Sequence, residues 1–175
     1  MTRKTKNHGP TTKTVASNVR RLREGRGLSA PKLSAATKAL GYEIPVEAIH
    51  KIEAAADGRP GARHINADEL TVLAVALGVN PNALLLPPSL TRSDAVEVTG
   101  AYRQLHADEA WEWARGEQPL PTPGQEYRPG TFRETVNPPW VLAQMDAQID
   151  RERYFQAGWV PEEKREDSPP DGADT

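Results

Sequence analysis

The sequence predicts an all-α fold: five short helices over residues 15–88, followed by a small, partly irregular C-terminal extension. Three observations carry this. Apolar residues from Val15 to Leu84 recur at intervals of three and four, the period of a helix buried along one face. Ser29, Asn66 and Asn80 stand where side chains cap helix starts, and Gly25, Gly27, Gly41 and Gly78 stand where helices stop. Pro31, Pro45 and Pro81 fall in or beside first turns, where a missing N–H costs nothing.

The elements follow in order. Residues 1–14 have almost no large apolar side chain and read as a flexible basic arm. Val15, Val19 and Leu22 begin the first helix, and the glycines of EGRGL end it. Ser29 caps the second, whose stripe is Leu33, Ala36 and Leu40. In the third, after Pro45, Val46, Ile49 and Ile52 recur every three positions along an inner edge. Glu47, His50 and Lys51 then face outward. The loop AAADGRPGARHI leads to a capping box, Asn66 with Glu69, that starts the fourth helix. Leu70, Leu73, Ala74 and Leu77 form its stripe. Asn80 caps the fifth helix, across which Val79 and Leu84 make a hydrophobic staple, and Pro87 and Pro88 close the domain.

Residues 89–159 read as a weakly structured extension. VEVTG, at 96–100, alternates as a short strand does. ADEAWEWARG, at 107–116, has the acidic start and glycine stop of a helix. PLPTPGQEYRPG is a Pro/Gly loop, and a longer helix follows Pro139. Residues 160–175 are charged and Pro-rich and read as a disordered acidic tail. Sixteen Pro, thirteen Gly and only two Phe in 175 residues argue against the whole chain packing.

Charge divides the chain. Residues 1–64 hold 13 Lys/Arg and 5 Asp/Glu, whereas residues 65–175 hold 9 and 19. A basic half suited to polyanions thus adjoins an acidic one. With no Cys, disulfides and thiolate sites are excluded. No apolar run approaches the ~20 residues that span a bilayer, and no apolar segment follows the basic N-terminus as in a secretory signal. A soluble cytoplasmic protein without membrane contact is the expectation.

Two helices joined at a Gly-containing turn, the second short and polar outside, meet the requirements of a helix-turn-helix. The stretch VRRLREGRGLSAPKLSAATKALGYEIPVEAIHKIE resembles the Cro/lambda-repressor-like (XRE) helix-turn-helix family. The resemblance rests on LRE…GLS, Leu33, Gly41, the ending at Ile49, Ile52 and Glu53, and the closing LAVALGVNPNALLLPP; it covers residues 15–88. VEVTG and AWEWARGEQPL further resemble extensions of actinobacterial members.

The resemblance implies a five-helix lambda-repressor-like domain that binds double-stranded DNA as a homodimer and acts as a transcriptional repressor. It makes Val46, Glu47, His50 and Lys51 the groove-facing set. It pairs Arg23 with Glu53 in a structural ion pair. Three departures stand out. The segment between Leu33 and the turn is about three residues longer than the family pattern. Ala30 replaces a phosphate-touching Gln, and the glycine after the final Glu is delayed to Gly58.

Arg20, Arg21, Lys32, Lys38, Arg59 and Arg63 are candidate phosphate contacts, each equally suited to a solvated surface. Catalytic residues, a metal and a cofactor are not expected. After Pro88 only Ser89, Ser93, Ser168 and Lys164 could serve a Ser–Lys peptidase, and they lie in a linker and the tail. His8, His50, His64 and His106 lack metal-ligand spacing. The alternative reading is an antitoxin-like protein that binds a partner protein through its acidic C-terminal half.

Overall fold

The computed structural model describes residues 8–124 and 129–156. The chain is mostly helical and divides into two compact units, Met1–Tyr127 and Arg128–Thr175. In the first unit, α1 (Pro10–Gly25), α2 (Ala30–Ala39), α3 (Val46–Glu53), a 3₁₀ turn (Ala54–Asp57), α4 (Ala67–Ala76) and α5 (Asn82–Leu85) follow one another. A two-stranded antiparallel sheet, β1 (Ala95–Val96) and β2 (Leu105–His106), and α6 (Ala107–Ala114) complete it. The second unit consists of α7 (Pro129–Val136) and α8 (Pro139–Gln156). No described helix is long and apolar enough to cross a membrane.

The apolar stripes of α1 to α5 meet in one core, except that Leu40, expected on the stripe of α2, is left 49% exposed at that helix's end. Val19, Leu33, Ile49, Leu73, Leu77 and Leu84 are fully buried there, and Val46 and Val79 pack at its margin. The helix starts are satisfied as the sequence predicts. Ser29 accepts from Lys32 N, Asn66 accepts from Glu69 N, and Asn80 Oδ1 accepts from Ala83 N at 3.0 Å. Each removes one of the four donors that a helix start leaves without an internal partner.

The arm is shorter than residues 1–14, because α1 begins at Pro10. Two contacts hold those extra turns. Thr11 and Thr99 exchange hydrogen bonds, Thr11 N to Thr99 Oγ1 at 3.2 Å and Thr99 N to Thr11 Oγ1 at 2.9 Å. Gly9 permits this approach, since a Cβ there would lie 2.8 Å from Thr99 Oγ1. Thr12 Oγ1 also lies 3.2 Å from His64 Nδ1, and the His64 ring packs on His8 at 4.6 Å between centroids. Sequence spacing keeps these two histidines apart; the fold brings them together. No third side chain completes a metal-binding group among the described residues.

The boundary expected at residue 88 does not hold either. Leu86, Val96, Val98, Leu105, Ala107 and Ala110 form a second buried cluster, against which Trp111 and Leu120 pack. Residues 94–120 therefore carry a core of their own within the first unit. Asn82 Nδ2 donates to Ala114 O at 2.9 Å, tying α5 to the end of α6. The strand expected over 96–100 shrinks to Ala95–Val96, because the chain turns at Gly100 with φ +95°. The helix at 107–114 forms, with His106 N donating to Glu109 Oε2 at 2.8 Å across its first turn. The helix after Pro139 runs to Gln156. The acidic tail expected at 160–175 lies outside the described residues, as do Arg3, Lys4 and Lys6 of the arm.

Glu109 also binds Arg103, and this guanidinium together with the His106 N–H lowers its carboxyl to about 2 from an ordinary 4.5. A carboxyl whose folded value is depressed stabilises the protein above its unfolded value and ceases to do so as the folded value is approached. The contribution is thus whole above pH 4.5 and lost towards pH 2. Glu109→Gln should flatten this part of the acid limb when urea midpoints are measured against pH. An unaltered acid limb would contradict the assignment.

Candidate nucleic-acid interface

The corner between α2 and α3 is set by three local devices. Leu40 ends α2, and Gly41, at φ +85°, takes a left-handed conformation that side chains with a Cβ resist. Tyr42 N then donates back to Thr37 O at 3.2 Å, which closes the helix end. Thr37, itself fully buried, accepts the Ile44 N–H on its Oγ1 at 3.1 Å. The longer connection that the sequence contains is therefore not loose: one buried hydroxyl fixes its path and drops Ile44 into the core. Val46 opens α3 directly after Pro45, whose fixed φ suits the entry.

Ile49 and Ile52 bury one side of α3 completely. Its far side presents Glu47, His50 and Lys51 together, all exposed. Lys51 Nζ contacts the Glu47 carboxylate across one turn, and this ammonium lowers the Glu47 carboxyl below its ordinary value. Val46, expected in the outward set, is half-buried against the core margin. One residue belongs to the inner edge because the helix period that buries Ile49 carries the position three before it inward as well.

Arg23 and Glu53 meet as expected. Arg23 Nε and Nη2 donate to the two Glu53 oxygens at 2.7 and 3.0 Å, and Nη1 donates to Leu28 O at 2.9 Å. Glu53 is 5% exposed. The hydrogen bond to Glu53 raises the Arg23 pKa, against the opposing effect of burial. The pair fastens the end of α3 to α1.

The six candidate phosphate contacts fall into two groups. Arg20 donates to Glu53 O at 2.8 Å and to Asp57 at 2.9 Å, and Arg59 reaches the same Asp57 oxygen at 3.2 Å. Lys38 pairs with Glu43 at 3.1 Å. Arg63 grips Glu69 through both terminal nitrogens, at 2.8 and 2.6 Å, and donates its backbone N–H to Lys51 O. These four cations are engaged by carboxylates of the chain itself: Arg20 and Arg63 are the more enclosed, while Lys38 and Arg59 remain more than half exposed. Arg21 and Lys32 remain exposed, Arg21 with Asn18 Oδ1 at 3.1 Å.

Asn18 is the residue that sequence reading missed. It is completely buried and donates from Nδ2 to Leu84 O at 3.1 Å and Leu86 O at 2.8 Å. Its signal was present: it lies three positions beyond Val15 and beside Val19, a polar residue on the apolar stripe of α1. A polar side chain there is tolerated only when its bonds are made.

Local geometry thus joins a rigid bihelical corner to a short polar helix face. Comparison of the chain with protein-family models, with curated proteins and with solved structures gives no match.

Proposed function

We propose that this chain is a sequence-specific double-stranded DNA-binding regulator, a repressor of the XRE helix-turn-helix type, that reads the major groove with α3. The observation that carries the proposal is the joint exposure of Glu47, His50 and Lys51 on a helix whose opposite side is locked into the core. Eight residues of helix extend for about 12 Å, and a major groove about 12 Å wide admits such a helix end-on or along its length. Lys51 can donate to guanine O6 and N7, Glu47 can accept from cytosine N4, and His50 can serve a base or a phosphate. Reading a base through Glu47 and Lys51 means exchanging their mutual contact for base contacts. That exchange favours sequences offering a cytosine and a guanine within reach of both.

Arg20 and Arg63 are the most enclosed of the candidate cations, whereas Lys38 and Arg59, more than half exposed, can exchange their carboxylates for phosphates as Lys51 does for a base. Non-specific affinity then rests on Arg21, Lys32, Lys38, Arg59 and the basic arm, and removing the arm should flatten its salt dependence. A single corner reads only a few base pairs, so two copies on half-sites one helical turn apart fit this scheme.

Selection of bound sequences from random double-stranded DNA at fixed salt tests the proposal, and a recovered consensus is the expected result. Lys51→Ala and His50→Ala should each weaken binding to that consensus by roughly 1–3 kcal/mol, with a smaller loss on random DNA in competition titrations. Because Lys51→Ala also releases the Glu47 carboxylate, Glu47→Ala/Lys51→Ala separates lost recognition from new repulsion. No enrichment over the starting pool, or equal losses on both kinds of DNA, would remove α3 as a reader.

A second reading has one observation in its favour. In the second unit Val136, Trp140 and Ile149 are 47%, 65% and 38% exposed, a quantity of apolar side chain suited to a protein partner. An antitoxin-like role, with the acidic C-terminal half holding a partner and the helical domain binding DNA, fits that surface. Co-expression with the product of a neighbouring reading frame, followed by gel filtration, distinguishes it.

A further inference from the structure

Between the end of α2 and the outer face of α4 lies a groove of about 570 Å³, lined by Leu40, Tyr42, Asp68, Thr71, Val72 and Val75. Its walls include apolar side chains left in water: Leu40 is 49% exposed, Val75 57% and Tyr42 39%. The only charged lining group is Asp68, in the first turn of α4, which makes no ion pair or side-chain hydrogen bond among the described residues. Cations nearby are already engaged. Lys38 pairs with Glu43, and Arg63, near enough to Tyr42 for their charges to interact, is gripped by Glu69. The groove thus combines apolar walls, an aromatic ring and one carboxylate without a side-chain partner among the described residues.

We infer that this groove binds a small amphiphilic cation, an apolar body with a single ammonium head. The volume lies within the range of small-molecule sites, about 300–1,000 Å³. The body lies over the buried Val72 and covers Leu40 and Val75, whose removal from water drives binding. The head meets the Asp68 carboxylate, and the Tyr42 ring offers its negative face to the same charge. A neutral isostere loses the ion pair, and an anion is repelled. Leu40 and Tyr42 flank Gly41 at the exit of α2, so an occupant rests on the connection whose path Thr37 fixes and which delivers α3. The site stands on the groove alone; its coupling to α3 matters for DNA only through the function proposed above.

Titration of the ¹⁵N-labelled full chain with 4-phenylbutylamine, 4-phenylbutan-1-ol and 4-phenylbutyrate, followed by amide NMR shifts, tests the assignment. Saturable shifts centred on residues 40–42 and 68–75 are expected, with the amine bound most tightly and the carboxylate least. Asp68→Asn should bring the amine to the level of the alcohol, a loss of about threefold to fivefold for an exposed pair. Val75→Asn should weaken amine and alcohol alike. Equal binding of the carboxylate, shifts centred elsewhere, or no saturable shift in the low-millimolar range overturns the inference. Concentration-dependent shifts at these residues without ligand would assign the groove to a second copy of the chain and overturn it as well. A chain that binds the amine but enriches no DNA sequence would keep this site and lose the DNA reading, so the two failures are distinguishable.

Discussion

Arg23→Ala should lower the unfolding free energy of the first unit by roughly 3–5 kcal/mol, the cost of stranding one member of a buried ion pair. Glu53 is 5% exposed, and its two oxygens take both of the charged Arg23 bonds. Without the guanidinium, the carboxylate must either remain charged in a poorly hydrated site or take up a proton. Leu28 O loses its donor in the same step. Single domains hold a margin of only about 5–15 kcal/mol, so this one change consumes a large part of it. Urea unfolding followed by far-UV circular dichroism measures the loss. Replacing both partners by apolar residues of similar volume, Arg23→Met with Glu53→Leu, should recover much of it, because no charge is then left unpaired. A single variant within about 1 kcal/mol of wild type, the range of exposed ion pairs, would show that water reaches the pair freely.

Asn18→Ala comes next, with an expected loss of roughly 2–4 kcal/mol from two unsatisfied buried carbonyls and a small cavity. The amide nitrogen serves Leu84 O and Leu86 O at once, where the chain leaves α5 and the helix no longer supplies donors. Asn18→Asp keeps the shape and is expected to be worse than Ala near neutral pH. It replaces a double donor with a carboxylate facing two carbonyl oxygens. Lowering the pH should restore part of its stability, since the neutral acid regains one donor. The ordering Asn, Ala, Asp in urea midpoints at neutral pH checks the account; Asp equal to Asn would mean that the amide's two bonds contribute nothing.

What could be read in the sequence was local. Ser29, Asn66 and Asn80 cap the helices they precede, and Ile49 and Ile52 bury the side of α3 that their spacing selects. Capping and periodicity act within a turn or two, so linear order contains them. Arg23 and Glu53 lie thirty residues apart; only the family resemblance implies their pairing, and the geometry joins them. Other distant partnerships were not legible. Arg20, Lys38, Arg59 and Arg63 read as free cations because a charge count contains no distances; Asp57, Glu43 and Glu69 engage them. Periodicity puts Val46 on the inner side of α3 and the family resemblance puts it on the outer; packing sets it at the margin of the core. Residues 89–159 read as a weakly structured extension, yet 94–120 pack. Their few large ones find Leu86, which belongs by sequence to the preceding helical segment. The helix Pro129–Val136 is not legible because it opens on Pro129 and Gly130, the last two residues of a stretch that reads as a Pro/Gly loop.

The position of Leu86 has a practical consequence for anyone who wishes to isolate the helical segment 15–88. A protein trimmed after Pro88 would open Leu86 to water, take from Asn82 the Ala114 carbonyl it holds, and release Thr11 from Thr99. Such a fragment would be a damaged protein, and any weakness in its grip on a ligand would say little about the intact one. The safer cut falls in the Pro/Gly stretch after Leu120, where the second cluster is already complete.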